Sequence, residues 1–227
     1  MRTLTTILFL SLAAFRSTGQ NTTGDTAKYL SGHYHERMAL FRSEPIVTGR
    51  VIFLGNSITE FGDWQKLLND PTVVNRGIAG DNTFGVLARL SDVTARRPAK
   101  VFIEIGINDF SINAIPAVTI KNILTIAERI RRGSPKTAVF IMGILPTNSN
   151  AKTDYPFVLN KGKQTRLINT ALAQHAKNHH YTYIDLGKWL KDSNGDLDTK
   201  YAKPDGIHLN PRGYQIWINL LRARRYI

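Results

Sequence analysis

The stretch Val51–Glu60, VIFLGNSITE, decides the fold of this chain. Its first four residues are apolar and rich in strand formers, which is typical of a strand buried on both faces of a sheet. Gly55 ends the strand, because a residue without a Cβ atom lets the backbone turn sharply. A helical pattern begins around Phe61, so Ser57 lies in a turn between a strand and a helix. Open α/β sheets bind their ligands at this carboxyl end of the strands.

Ser57 has two interpretations from this stretch alone. Ser57 and Glu60 have the spacing of a capping box, in which the serine hydroxyl only accepts a hydrogen bond from an amide of the following helix. The hydroxyl could instead be a nucleophile, although the stretch lacks the second glycine of a G-x-S-x-G elbow. The choice depends on whether the chain also supplies a base.

A candidate base lies near the other end of the chain, in the segment DGIHLN at residues 205–210. Asp205 precedes His208 by three residues, so in a turn both lie on the same side. The carboxylate would accept a hydrogen bond from Nδ1–H of the imidazole and leave Nε2 facing outward as a base. Taken alone, such a pair favours a structural histidine, and it gains weight only in combination with Ser57.

Four blocks in order, GNSIT, NRGIAGDNT, GIND and DGIHLN, resemble the SGNH or GDSL-like serine hydrolases over roughly residues 46–222. The resemblance implies that Ser57 is the nucleophile and that Asp205 and His208 complete a catalytic triad. It also implies an oxyanion hole formed by the N–H groups of Ser57 and Gly80 and by the side-chain amide of Asn108. No metal or organic cofactor is needed for such a mechanism.

The sequence departs from the family pattern at two positions. Asn56 stands where the family name has Asp, and Ile107 stands where Thr or Gly is commoner. Neither change removes a catalytic group. From the residues alone, Gly80 and Asn108 are also compatible with ordinary turns. Asp109 is predicted to hold the neighbouring loop by hydrogen bonds.

Strand and helix patterns alternate along the rest of the chain. Strands are predicted at residues 51–54, 73–75, 101–105, 138–142 and 181–184, and helices at 26–42, 84–94, 115–132, 157–178 and 213–224. This alternation indicates an α/β fold with a parallel sheet and helices on both faces. The family resemblance adds a three-layer α/β/α flavodoxin-like sandwich with strand order 2-1-3-4-5. The loop at residues 143–156 is predicted to border the active site, and the last helix to hold the His208 loop against the sheet.

Residues 1–20 are predicted to be a signal peptide. Arg2 precedes an apolar run at residues 4–15, and Ser17 and Gly19 supply the small residues of a cleavage site. The run is too short to span a bilayer. Residues 21–227 would then form a single hydrolase domain, periplasmic or secreted, without stable insertion into a membrane. A disordered or helical N-terminal extension is the alternative.

Composition excludes several classes of site. The chain has no cysteine, which excludes disulfides, thiolate zinc sites and a cysteine nucleophile. The segment at residues 192–198 resembles the start of a calcium loop, but Leu197 and Lys203 stand where that loop needs glycine and glutamate. We therefore predict no metal and no cofactor.

The formal net charge of +13 falls only to +11 without residues 1–20, so the basicity belongs to the rest of the chain. A nucleic-acid binder is the obvious interpretation. However, two of the three arginine clusters lie near predicted helix C-termini, where cations are favourable. No aromatic residues alternate with the basic ones as a base-stacking surface requires. Nucleic acid is therefore not expected as a partner, and a weak attraction to acidic glycans is favoured over it.

These features predict an exported serine esterase that removes a small acyl group, above all acetyl, from a carbohydrate through an acyl-enzyme. A lysophospholipase or short-chain lipid esterase is the alternative substrate class, and the lack of a long apolar lid favours the smaller acyl group. A basic carbohydrate- or nucleic-acid-binding domain is the non-enzymatic alternative. The sequence leaves open the oligomeric state and whether Asp205 is essential or the site is a Ser–His dyad.

Overall fold

The computed structural model describes residues 24–227, and a five-stranded sheet lies at its centre. The strands are β1 Val51–Gly55, β2 Val74–Gly77, β3 Lys100–Glu104, β4 Ala138–Met142 and β5 Thr182–Ile184. Their order is β2-β1-β3-β4-β5 and every neighbouring pair is parallel. The predicted α/β class and strand order are confirmed. The predicted signal peptide, residues 1–20, lies outside the described residues.

The central strands β1 and β3 are buried on both faces. They pair in register from Val51 opposite Lys100 to Gly55 opposite Glu104. Because side chains alternate along a strand, Leu54 points to one face of the sheet and Phe53 to the other, and both are fully buried. A sheet of this kind is stable only when both of its faces are covered.

Eight α-helices surround the sheet within the described residues. They are α1 Gly32–Ser43, α2 Ser57–Glu60, α3 Trp64–Leu68, α4 Thr83–Ala88, α5 Leu90–Ala95, α6 Pro116–Gly133, α7 Gly162–His175 and α8 Pro211–Ala223. Helices α4 to α7 pack on the aliphatic face of the sheet, and α3 and α8 on the other face. No helix among residues 24–227 combines the length and the apolar character that crossing a bilayer requires.

The face covered by α3 and α8 is aromatic. The rings of Phe53 and Trp64 are stacked with centroids 3.9 Å apart, and Trp217 of α8 packs edge-on against Trp64. Helix α8 begins directly after the segment that carries His208. The Asn210 side chain caps it by accepting hydrogen bonds from the amides of Arg212 and Gly213. The C-terminal helix therefore holds the His208 segment against the sheet, as predicted.

Three predicted helices have different bounds in the structure. The helix expected at 84–94 is two helices, α4 and α5, separated at Arg89, where φ is −113° and ψ is 11°. Helix α1 begins only at Gly32, because Ser31 caps it by accepting from the amide of Tyr34. Helix α7 begins only at Gly162, after a short 3-10 helix at Pro156–Val158.

Arg89 interrupts the predicted helix because its side chain is used elsewhere. Its guanidinium is buried and donates to the carboxylate of Asp81 at 2.8 Å and to the carbonyl oxygen of Gly55 at 3.0 Å. These contacts tie the start of α4 to the end of β1. The break in the helix therefore lies directly behind the candidate site.

Candidate active site

Ser57 is the first residue of helix α2 and follows a tight turn at the end of β1. A Cβ atom added to Gly55 would lie 2.1 Å from the carbonyl oxygen of Glu104, so only glycine fits there. Asn56 is the N-cap residue of α2, and its Oδ1 atom accepts a hydrogen bond from the amide of Ile58 at 2.8 Å. The Ser57 hydroxyl is therefore not the helix cap.

Glu60 does not complete a capping box either. Its Oε2 atom accepts a hydrogen bond from the amide of Ala79 at 2.5 Å, and His33 and Arg37 also contact its carboxylate. Glu60 thus fixes the segment that leads to Gly80. Ser57 and Glu60 therefore do not form a capping box, and the Glu60 carboxylate instead binds the segment before Gly80.

Ser57, His208 and Asp205 form a continuous chain of hydrogen bonds. The Nε2 atom of His208 lies 2.8 Å from Ser57 Oγ, and its Nδ1 atom lies 2.7 Å from Asp205 Oδ2. His208 is buried and Ser57 is 9% exposed, so the serine is reached only through the neighbouring cavity. A hydroxyl, an imidazole and a carboxylate are thus connected in the order that nucleophilic catalysis requires.

The Asp205 carboxylate is held in its ionised form. Partial burial opposes ionisation, but the amides of His208 and Ile207 donate to Oδ1 at 2.9 and 3.0 Å, and the His208 ring bonds Oδ2. These bonds together hold the pKa of Asp205 below its ordinary value. The negative charge therefore persists at neutral pH, next to the imidazole it orients.

The three residues predicted to form the oxyanion hole lie around one cavity. Ser57, Gly80 and Asn108 all line it. Gly80 has a φ of 81°, a left-handed conformation that glycine adopts without strain. Neither the Ser57 amide nor the Gly80 amide donates to a protein acceptor within residues 24–227. Both remain available to an oxygen atom in the cavity.

Asn108 lies beyond the end of β3 and is oriented by its neighbours. Its Nδ2 atom donates to the carbonyl oxygen of Asp81 at 2.8 Å. The next residue, Asp109, is fully buried and accepts hydrogen bonds from the hydroxyl of Thr83 at 2.6 Å and from its amide at 3.0 Å. Burial raises the pKa of Asp109 to about 6, against the lowering effect of the bonds from Thr83. Asp109 holds this loop by hydrogen bonds, as predicted.

The cavity beside Ser57 has a volume of about 250 Å³ and aromatic walls formed by Phe61, Tyr155 and Phe157. The His208 ring lies between Phe61 and Tyr155, with centroid distances of 5.1 and 5.5 Å. Tyr155 belongs to the loop at residues 143–156, so the prediction that this loop borders the site is confirmed. Sequence reasoning missed the three aromatic residues themselves, because aromatic side chains in a chain of this kind usually indicate core positions.

Metal-binding features are absent from the part of the chain that the structure describes. Residues 24–227 contain no cluster of three His, Asp or Glu side chains that could hold an ion. In the segment that resembles a calcium loop, the Asp192 carboxylate accepts hydrogen bonds from the amides of Asn194 and Asp196. It therefore closes a turn of the backbone.

The sequence profile of the GDSL-like Lipase/Acylhydrolase family matches residues 53–216. The chain belongs to this family. Among its curated relatives is platelet-activating factor acetylhydrolase IB subunit alpha1 of Bos taurus, 26% identical over 170 residues, with 72% of this chain and 69% of that one covered. Esterase TesA of Pseudomonas aeruginosa is 41% identical over 81 residues, covering 35% of this chain and 39% of TesA.

Solved structures of the GDSL-like family share the fold. A GDSL-like lipase from Bacteroides thetaiotaomicron has a TM-score of 0.72 and 24% identity, covering 86% of this chain and 98% of that one. A variant acetyl-xylooligosaccharide esterase from Geobacillus Stearmophilus has a TM-score of 0.60 and 19% identity, covering 78% of this chain and 95% of that one. The family and its esterase members make this chain a carboxylic ester hydrolase.

Proposed function

We propose that this protein is an exported serine esterase that hydrolyses acetyl esters of a carbohydrate through an acyl-enzyme. The observation that carries the proposal is the unbroken chain of hydrogen bonds from Asp205 through His208 to Ser57. A structural histidine needs no such contact with a hydroxyl at the floor of a cavity. In this proposal Ser57 is the nucleophile, His208 the general base and Asp205 the group that orients the base.

The proposed reaction has two half-reactions. Ser57 Oγ attacks the ester carbonyl while His208 Nε2 takes the hydroxyl proton, and Asp205 stabilises the imidazolium that forms. The oxyanion is bound by the amides of Ser57 and Gly80 and by the side chain of Asn108. The alcohol then leaves with the proton of His208, and acetyl-Ser57 remains. Water gives a proton to His208 and attacks this ester, which releases acetate and restores the serine.

The size of the cavity supports a short acyl group. A space of about 250 Å³ beside Ser57 is at or below the lower end of ligand pockets, about 300–1,000 Å³, and must also accept part of the alcohol. A long acyl chain would extend beyond this space into solvent, where it gains no buried contacts. The flat rings of Phe61, Tyr155 and Phe157 offer apolar surfaces against which the face of a sugar ring can pack.

A lipid ester is the second candidate substrate. The relatives named platelet-activating factor acetylhydrolase favour the same acetyl group on a lipid alcohol, at 26% identity over 72% of this chain. This relationship supports an acetyl group as the acyl part of the substrate more strongly than it supports a lipid or a carbohydrate as the alcohol part. The two substrate classes therefore need a direct comparison.

The test is a matched set of esters assayed with the purified protein. Acetyl, butyryl and octanoyl esters of p-nitrophenol should show kcat/KM falling with acyl length, because the cavity must also accept part of the alcohol and leaves less room for a longer acyl group. An acetylated monosaccharide should be hydrolysed faster than an acetylated lysophospholipid at equal concentration. Preference for octanoyl would contradict the short acyl group, and preference for the lipid would establish the second candidate. Failure of a fluorophosphonate to label Ser57 would favour a non-catalytic binding domain.

A further inference from the structure

Beneath the Ser57 turn lie buried polar groups without partners. Glu104 is fully buried, and neither of its carboxyl oxygens has a hydrogen-bond partner within residues 24–227. The same holds for Asn56 Nδ2 and Thr59 Oγ1, and for Trp217 Nε1 on α8. Buried polar atoms in proteins are nearly always paired, because an unpaired one has lost its hydrogen bonds to water and gained none in the protein. The unpaired side chains of Asn56, Thr59 and Glu104 therefore need an explanation.

These groups lie together around the end of β1. Glu104 is the last residue of β3 and is paired with Gly55 across the sheet. The Asn56 side chain faces the Glu104 carboxyl at hydrogen-bonding range, although the two do not meet the geometric limits of a formed bond. A Cβ atom at Gly55 would lie 2.3 Å from Thr59 Oγ1 and 2.1 Å from the Glu104 carbonyl oxygen, so the Thr59 hydroxyl and the backbone of Glu104 both pack against Gly55.

We propose that Glu104 is a positioning residue for Ser57, held as a neutral acid that accepts from Asn56 Nδ2 and donates to Thr59 Oγ1. Asn56 and Thr59 flank the nucleophile in sequence, and Asn56 also caps helix α2. Fixing both would fix the orientation of the Ser57 hydroxyl relative to His208. A displacement of about 1 Å in such a site can cost about 10²-fold in rate. The inference rests on the proposed function.

The surroundings of Glu104 favour the neutral acid. Burial raises the pKa of Glu104 to about 8, and the neighbouring Asn56 amide opposes this only in part. The titratable group that faces it from α8 is Tyr214, whose hydroxyl donates to the carbonyl oxygen of Ile58. Arg89, which donates to the carbonyl oxygen of Gly55 at this turn, is neutralised by Asp81. Among residues 24–227, Glu104 forms no ion pair that would favour the carboxylate.

The first test compares two substitutions of Glu104 with a matched control. Glu104→Gln keeps a donor and an acceptor and should retain kcat within about threefold, whereas Glu104→Leu should lower kcat at least tenfold with KM within twofold. The control is Phe102→Leu, which truncates a buried side chain two residues earlier on the same face of β3. Phe102→Leu should lower the midpoint temperature of thermal unfolding without lowering kcat. Equal kcat for folded Glu104→Leu and for the control would overturn the inference.

A second test does not depend on the folding of Glu104→Leu. Glutamine cannot ionise, whereas Glu104 loses its proton, and with it the donated hydrogen bond, as the pH rises through its raised pKa of about 8. The kcat of the wild type relative to that of Glu104→Gln should therefore fall as the pH rises from about 7 to 9. Coincident pH profiles for the two proteins would overturn the inference, whereas absence of ester hydrolysis in the wild type would instead defeat the proposed function.

Discussion

The side-chain amide of Asn108 donates a hydrogen bond to the carbonyl oxygen of Asp81 across 2.8 Å. Asp81 is itself fixed by the buried guanidinium of Arg89. One N–H of the Asn108 amide is thus used to set its orientation, and the other remains for the cavity that holds Ser57. An oxyanion donor that is oriented before the substrate arrives needs no reorganisation during the reaction.

Asn108→Ala should lower kcat by about 10²–10³, which corresponds to roughly 2.7–4 kcal/mol of transition-state stabilisation. KM should change little, because the donor acts on charge that develops only in the transition state. Steady-state kinetics with p-nitrophenyl acetate measures both quantities, and Asn178→Ala at an exposed position is the control. A change confined to KM would make Asn108 a residue that binds the ground state.

Gly80→Ala should lower kcat, whereas Gly195→Ala should not. Both glycines have a left-handed backbone, with φ of 81° and 86°, and an added Cβ atom would meet no atom within 4 Å at either position. The two substitutions should therefore lower the free energy of unfolding by similar amounts, about 1–2 kcal/mol each. Only Gly80 lines the Ser57 cavity, and relaxation of its strained backbone after substitution would turn its amide away from the oxyanion. Equal kcat values for the two variants would remove Gly80 from the oxyanion hole.

Asp205→Asn should lower kcat less than His208→Ala does, since packing of the loop can partly replace orientation but nothing replaces proton transfer. The ionised carboxylate favours the imidazolium form of His208. Activity should rise with pH as His208 loses its proton, and removal of the Asp205 carboxylate should move the midpoint of this rise to lower pH. The pH dependence of kcat/KM measures this shift. An unchanged midpoint and rate would make Asp205 a loop-shaping residue and the site a Ser–His dyad.

The mature protein should begin near Gln20 or Asn21. Residues 1–20 have the charge, apolar run and small residues of a signal peptide. Mass spectrometry of the intact protein from its native host, with N-terminal sequencing, measures where the chain starts. Protein that retains Met1 would contradict the prediction of export.

The fold could be predicted because its strands carry strong local signals. The run Ala138–Met142 is apolar and β-rich, and it forms β4 with the predicted bounds. The order of the strands came from the family resemblance and not from periodicity. The break at Arg89 could not be predicted, because it depends on contacts with Asp81 and Gly55 that are distant in sequence.

The candidate site was predicted in part. Ser57, Asp205 and His208 stand out because short motifs fix their local geometry, and the structure brings them within hydrogen-bonding distance. Glu104 did not stand out, because it lies in a run that reads as an ordinary strand. Its burial arises only when α8 covers that face of the sheet, which is a tertiary effect.

The most direct measurement of the central claim is the activity of Ser57→Ala. The kcat for p-nitrophenyl acetate should fall by about three orders of magnitude or more, with an unchanged circular dichroism spectrum, because only the oxyanion hole and binding remain. Labelling by a fluorophosphonate should also be lost. Ser91→Ala, at an exposed serine of α5, should keep both activity and labelling. Activity near the wild-type level in Ser57→Ala would contradict the proposal that Ser57 is the nucleophile.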